Sequence, residues 1–78
     1  MNDSLEVIDL KGVPCPRNTA KALMFLELRE EGELSLVIVD DGEPVINFLE
    51  SLEIETGYII KNKIKKNDVW EIYILKQG

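Results

Sequence analysis

Residues 34–44, Leu34-Ser35-Leu36-Val37-Ile38-Val39-Asp40-Asp41-Gly42-Glu43-Pro44, decide the fold. The first six form an almost continuous apolar run, the pattern of a central strand covered on at least one face. Asp40-Asp41-Gly42 then turns the chain, and Glu43-Pro44 opens a helix. Proline fits a first helical turn because its missing N–H would be unpaired there anyway. Asp40 and Glu43 have capping-box spacing, with Asp in place of the usual Ser or Thr, so a helix cap is expected at this turn. A hard cation held by Asp40, Asp41 and Glu43 is the weaker alternative, because no further ligand stands nearby in sequence.

Downstream, Val45, Phe48, Leu49 and Leu52 make a three-four stripe to about Glu53, and Gly57 ends the segment. Residues 58–65 alternate, with Tyr58, Ile60 and Ile64 expected opposite Ile59, Lys61, Lys63 and Lys65. Lys66-Asn67-Asp68 reads as a hairpin turn and Val69 to Leu75 as the return strand. Trp70, in register with Ile72 and Ile74, is expected in the core, with Tyr73 exposed on the other face. Upstream, residues 5–10 read as a strand with Leu5 and Val7 on one face and Ile8 and Leu10 on the other. Lys11-Gly12-Val13-Pro14 breaks it. Good helix formers fill the chain from Pro16 to about Glu31, and Gly32 is the stop signal. Ala22, Leu23 and Leu26 define one stripe of this helix, while Met24, Phe25 and Leu28 fall outside it. Either the buried arc is wide or the second group is a partner surface. The order β-α-β-α-β-β predicts one α+β domain over residues 1–78: a two-layer sandwich of a four-stranded mixed sheet with both helices on one face.

Seventy-eight residues, 45% hydrophobic and 31% charged, fit a soluble globular protein. No stretch is long and apolar enough to span a membrane, and the start lacks the regions of a secretion signal, so cytoplasmic residence is expected. The chain is also expected to be a monomer. The chain has no histidine. This argues against a Ser-His-Asp triad or a zinc hydrolase, and no cofactor or metal is expected. The net charge of −6 disfavours broad nucleic-acid binding, yet residues 1–56 carry −9 and residues 57–78 carry +3. Lys61, Lys63, Lys65 and Lys66 read first as lysines guarding an edge strand. Docking of an acidic partner or an RNA backbone is the alternative.

The one cysteine, Cys15, lies in Gly12-Val13-Pro14-Cys15-Pro16-Arg17-Asn18, where a loop enters a helix. A helix N-terminus favours negative charge and lowers a thiol's pKa. Arg17 and Lys11 would add positive charge, and Pro14 and Pro16 stiffen the turn. Without histidine or a resolving cysteine, such a thiolate is suited to receiving an atom and handing it on. The plainer reading is a small buried hydrophobe, as many lone cysteines are, and the residue pattern leaves both open.

Asp9-Leu10-Lys11-Gly12-Val13-Pro14-Cys15-Pro16 resembles the signature of the TusA/SirA family of small sulfur-carrier proteins, Asp-x-Arg-Gly-x-x-Cys-Pro-x-Pro. Gly32-Glu33, Asp40-Asp41 and Gly57 match further turns of that family, and its β-α-β-α-β-β arrangement is the one read above. The resemblance implies a sulfurtransferase-type relay without a complete catalytic cycle of its own. Cys15 would accept sulfane sulfur from a cysteine desulfurase or rhodanese-type donor. It would carry that sulfur as a persulfide to an acceptor, as in tRNA thiolation, molybdenum-cofactor assembly or sulfur oxidation. It also implies that Pro16, Asp9 and Gly12 hold the family's motif positions around Cys15. Lys11 replaces the family's Arg, keeping the charge without the forked donor. Asn18 replaces the second proline, giving Cys-Pro-Arg-Asn, and is expected to hydrogen-bond locally. Asp9 by itself reads as a loop or capping group rather than an acid catalyst. A regulatory or interaction module of the same fold that carries no sulfur is the alternative reading.

Overall fold

The apolar run at 34–39 becomes the second strand of four, next to the sheet's centre. In the computed structural model, which describes residues 5–14 and 16–77, the elements are β1 (Glu6–Asp9), α1 (Arg17–Glu27), β2 (Leu34–Asp40), α2 (Glu43–Ile54), β3 (Tyr58–Lys66) and β4 (Val69–Lys76). The sheet order is β1-β2-β4-β3, with β1 parallel to β2 and the other pairs antiparallel. The crossover between parallel β1 and β2 runs through α1, as parallel pairing requires. This is the mixed sheet and element order that the sequence predicts.

The core lies between the helices and one face of the sheet. Ala22 and Leu26 of α1 and Val45, Phe48 and Leu52 of α2 are buried with Leu10, Val37, Val39, Ile72 and Ile74. Burying a side chain such as Phe48 contributes about 1.5–3 kcal/mol. Along the register, Ile8, Val37 and Ile72 share this inner face, whereas Val7, Leu36 and Tyr73 share the outer one. Trp70 is half-buried against the core. Tyr73 is half-buried on the outer face rather than exposed.

Three local expectations are corrected and one open alternative is resolved. The first helix ends at Glu27, not near Glu31. Leu28 and Arg29 close it with short bonds to the carbonyls of Phe25 and Leu26 (3.3 and 3.1 Å). Lys76 Nζ then donates to the carbonyls of Glu27 and Arg29, both at 2.8 Å. A cation from a distant strand thus caps the helix early. The apolar excess on α1 divides: Phe25 packs against the core under the Arg29 guanidinium (4.7 Å to the ring centre), while Met24 and Leu28 are 66% and 75% exposed. The alternation of β3 breaks at a bulge, where Ile60 pairs with Ile74 and Asn62 with Tyr73, leaving Lys61 as the extra residue. After it Ile64 lies on the outer face and Lys63 and Lys65 on the inner one, because an added residue shifts a period-two pattern by one. Finally, no side chain among the described residues caps α2, whose preceding residue is Gly42. Asp40 has another partner.

Candidate functional site

Cys15 lies outside the described residues, so the site is built from its two flanks. On the upstream side, Leu10-Lys11-Gly12-Val13 forms a tight turn closed by Val13 N–H donating to the Leu10 carbonyl (3.1 Å). Gly12 takes φ +80°, the left-handed value that the third position of such a turn requires. Any residue with a Cβ would be strained there. Asp9 Oδ1 accepts from the Lys11 N–H (3.0 Å), and the Lys11 ammonium lies 3.2 Å from Asp9 Oδ2. The backbone bond first, and the Lys11 charge after it, hold the Asp9 carboxyl below the usual carboxylate range. Asp9 therefore stays ionised and organises the loop. The charge of Lys11 is directed at Asp9.

On the downstream side, Pro16 precedes α1 and its carbonyl accepts from Ala20 N–H (3.2 Å), while the Pro14 carbonyl accepts from Asn18 N–H (3.0 Å). Pro16 thus stands one place before the first helical residue, Arg17. Among the described residues no side chain caps this helix start, and no acidic residue lies in its first turn. Its positive pole is left without an internal counter-charge. Arg17 is exposed and makes no ion pair among the described residues.

Asn18 is fully buried, and its Nδ2 donates to the Pro44 carbonyl (3.1 Å), 26 residues away. The local hydrogen bond expected of its side chain is thus replaced by a bridge between the two helix starts. Its Oδ1, like the Thr19 hydroxyl, accepts no bond among the described residues. Gly12 N–H donates to Asp40 Oδ2 (2.8 Å), 28 residues away. Asp40, read from sequence as a helix cap, instead holds the loop on the Cys15 side.

Asp41 faces the hairpin. Trp70 Nε1 donates to its Oδ1 (2.8 Å), Lys65 Nζ lies 3.3 Å from its Oδ2, and its N–H donates to the Asp68 carbonyl (2.8 Å). The indole bond, followed by Lys65, lowers the Asp41 pKa. Asp40 and Asp41 are thus engaged by an amide, an indole and an ammonium, and no cluster of metal-ligating residues occurs among the described residues. A groove of about 410 Å³, lined by Ile8, Asp9, Leu10, Val13, Lys21 and Met24, runs between β1 and α1 and reaches the loop at Val13.

The structure therefore gathers Gly12 and Asn18 at one turn, pairs Asp9 with Lys11, and leaves Arg17 outward. Sequence reading missed the roles of Asp40, Pro44 and Trp70, since bonds across 26–29 residues leave no local pattern. Among the described residues, no helix is long and apolar enough to cross a membrane. A family model described as sulfurtransferase TusA matches residues 6–76, spanning the loop, both helices and all four strands. Among curated proteins, none matches the chain.

Proposed function

Because the chain belongs to the TusA sulfurtransferase family, we propose that it is a sulfur carrier in which Cys15 accepts sulfane sulfur as a persulfide and passes it to an acceptor protein. In the accepting step the Cys15 thiolate attacks the terminal sulfur of a donor persulfide, R–S–S–H. The donor's S–S bond breaks and R–S⁻ leaves. The sulfane sulfur and its proton remain as Cys15–S–S–H, with no net oxidation. Delivery repeats the exchange with an acceptor nucleophile in place of Cys15. The donor class is a cysteine desulfurase or rhodanese-type protein, and tRNA thiolation is one route that would consume the product.

The observation that carries this reading is the family match over residues 6–76, a span that includes the Cys15 loop. A helix start that no described side chain caps, beside that residue in sequence, supports it, since such a start stabilises a thiolate. Pro16 and Arg17 would frame the thiol on the helix side, and Gly12 with the Asp9–Lys11 pair would shape the loop. The unit is residues 1–78, acting as a cytoplasmic monomer.

Incubation with a cysteine desulfurase and cysteine is expected to add the mass of one sulfur atom to the intact chain, and Cys15→Ser to abolish the adduct. An adduct that survives Cys15→Ser, or its absence with every donor tried, would falsify the assignment.

A further inference from the structure

Gly12 and Asn18 stand three residues before and three after Cys15, and both are fastened to one turn. Asp40 Oδ2 takes the Gly12 N–H at 2.8 Å, and the Pro44 carbonyl takes Asn18 Nδ2 at 3.1 Å. Neither bond is needed to form the local structure. The loop turn is already closed by Val13 N–H to the Leu10 carbonyl, and the helix start by Asn18 N–H to the Pro14 carbonyl. What the two long-range bonds add is placement of the loop and helix start relative to residues 40–44. Those residues are fixed in their turn to the β3–β4 hairpin, through Trp70 Nε1 and Lys65 Nζ on the Asp41 carboxylate and the Asp41 N–H on Asp68. Asp40 has the spacing of a helix cap yet spends its carboxylate on Gly12, which marks this contact as the one the turn serves.

We propose that the 40–44 turn is a brace for the two flanks of Cys15, the Gly12 loop and the α1 start, and so governs the reactivity of its thiol, with Asp40 and Asn18 as positioning residues on its two sides and Trp70 as the anchor on the sheet. Its meaning for sulfur transfer rests on the carrier reading, but the reactivity of the thiol tests it separately.

The test is the rate at which iodoacetamide alkylates Cys15, followed by intact mass, with folding checked by circular dichroism. Asp40→Ala and Asn18→Ala are each expected to slow alkylation by about tenfold, the scale of one charge-assisted or part-buried hydrogen bond. Asp40→Asn keeps an acceptor for the Gly12 N–H and is expected to stay within about threefold of the wild-type rate. Trp70→Phe, which removes a single N–H at the far end of the brace, is expected to slow alkylation by about threefold. Added to Asp40→Ala it should slow the reaction no further, because the two act along one chain. Wild-type or faster rates in folded Asp40→Ala and Asn18→Ala overturn the brace. Should either fail to fold, a wild-type rate in Trp70→Phe does the same. Slowed alkylation in the variants, in a chain that never takes up sulfur, keeps the brace and removes the carrier. Unchanged alkylation with normal sulfur uptake removes the brace and keeps the carrier.

Discussion

The two helices begin beside one another, joined by the bond from Asn18 to Pro44, and they are prepared differently for the charge that a helix start favours. The first turn of α2 contains Glu43, a built-in negative charge. The first turn of α1 has no acid, and Arg17 stands there instead. Among the described residues, no side chain caps either start. The electrostatic demand is therefore met internally at α2 and left open at α1, next in sequence to the only cysteine. A helix start left without its own anion has room for a thiolate.

The comparison is broken most directly by making α1 resemble α2. Arg17→Glu places a carboxylate in the first turn of α1. It is expected to disfavour the Cys15 thiolate and so to slow alkylation at neutral pH by up to about tenfold. The pH dependence of alkylation measures this, and an unshifted curve breaks the comparison. A smaller effect is expected at the other helix. Glu43→Gln removes the built-in charge of α2 and should cost about 0.3–1 kcal/mol of stability, read from the urea midpoint.

The smallest effect is a pH response at the turn that joins them. The folded state holds the Asp41 pKa below its unfolded value, chiefly through the Trp70 indole. Its contribution is therefore present above the unfolded carboxylate pKa and lost as pH falls through the lowered folded value. Trp70 is the chain's only tryptophan, so its fluorescence should titrate with a midpoint below the ordinary aspartate range. Asp41→Asn should remove the transition, whereas a midpoint at or above that range contradicts the assigned bond.

Much of the fold is legible in sequence because it rests on local periodicity. The apolar run of β2, the stripe from Val45 to Leu52 and the Asn67-Asp68 turn each state their structure within a few residues. What fails to show locally was decided from far away. Lys76 ends α1 by taking carbonyls of Glu27 and Arg29 from 49 and 47 positions along the chain. Asp40 forgoes its cap for an amide 28 residues distant. The site divides in the same manner. The motif points to Cys15, Pro16 and Gly12, of which the structure describes the last two. Gly12's left-handed backbone, at φ +80°, agrees with its place in the turn. The ties of Gly12 and Asn18 to residues 40–44 required the three-dimensional chain.

The bulge in β3 acts as a shift in reading frame. Up to Ile60 the strand is read against β4 in one frame, and from Asn62 onward in the other. That second frame puts Lys65 on the side from which its ammonium lies 3.3 Å from Asp41. If Lys61 were paired as an ordinary member of the strand, the frame would not change and Lys65 would fall on the opposite side. If Lys61 were deleted, the strand would run straight with every other residue on the face it now occupies. At this position the information lies in the residue's presence, and very little of it in the side chain.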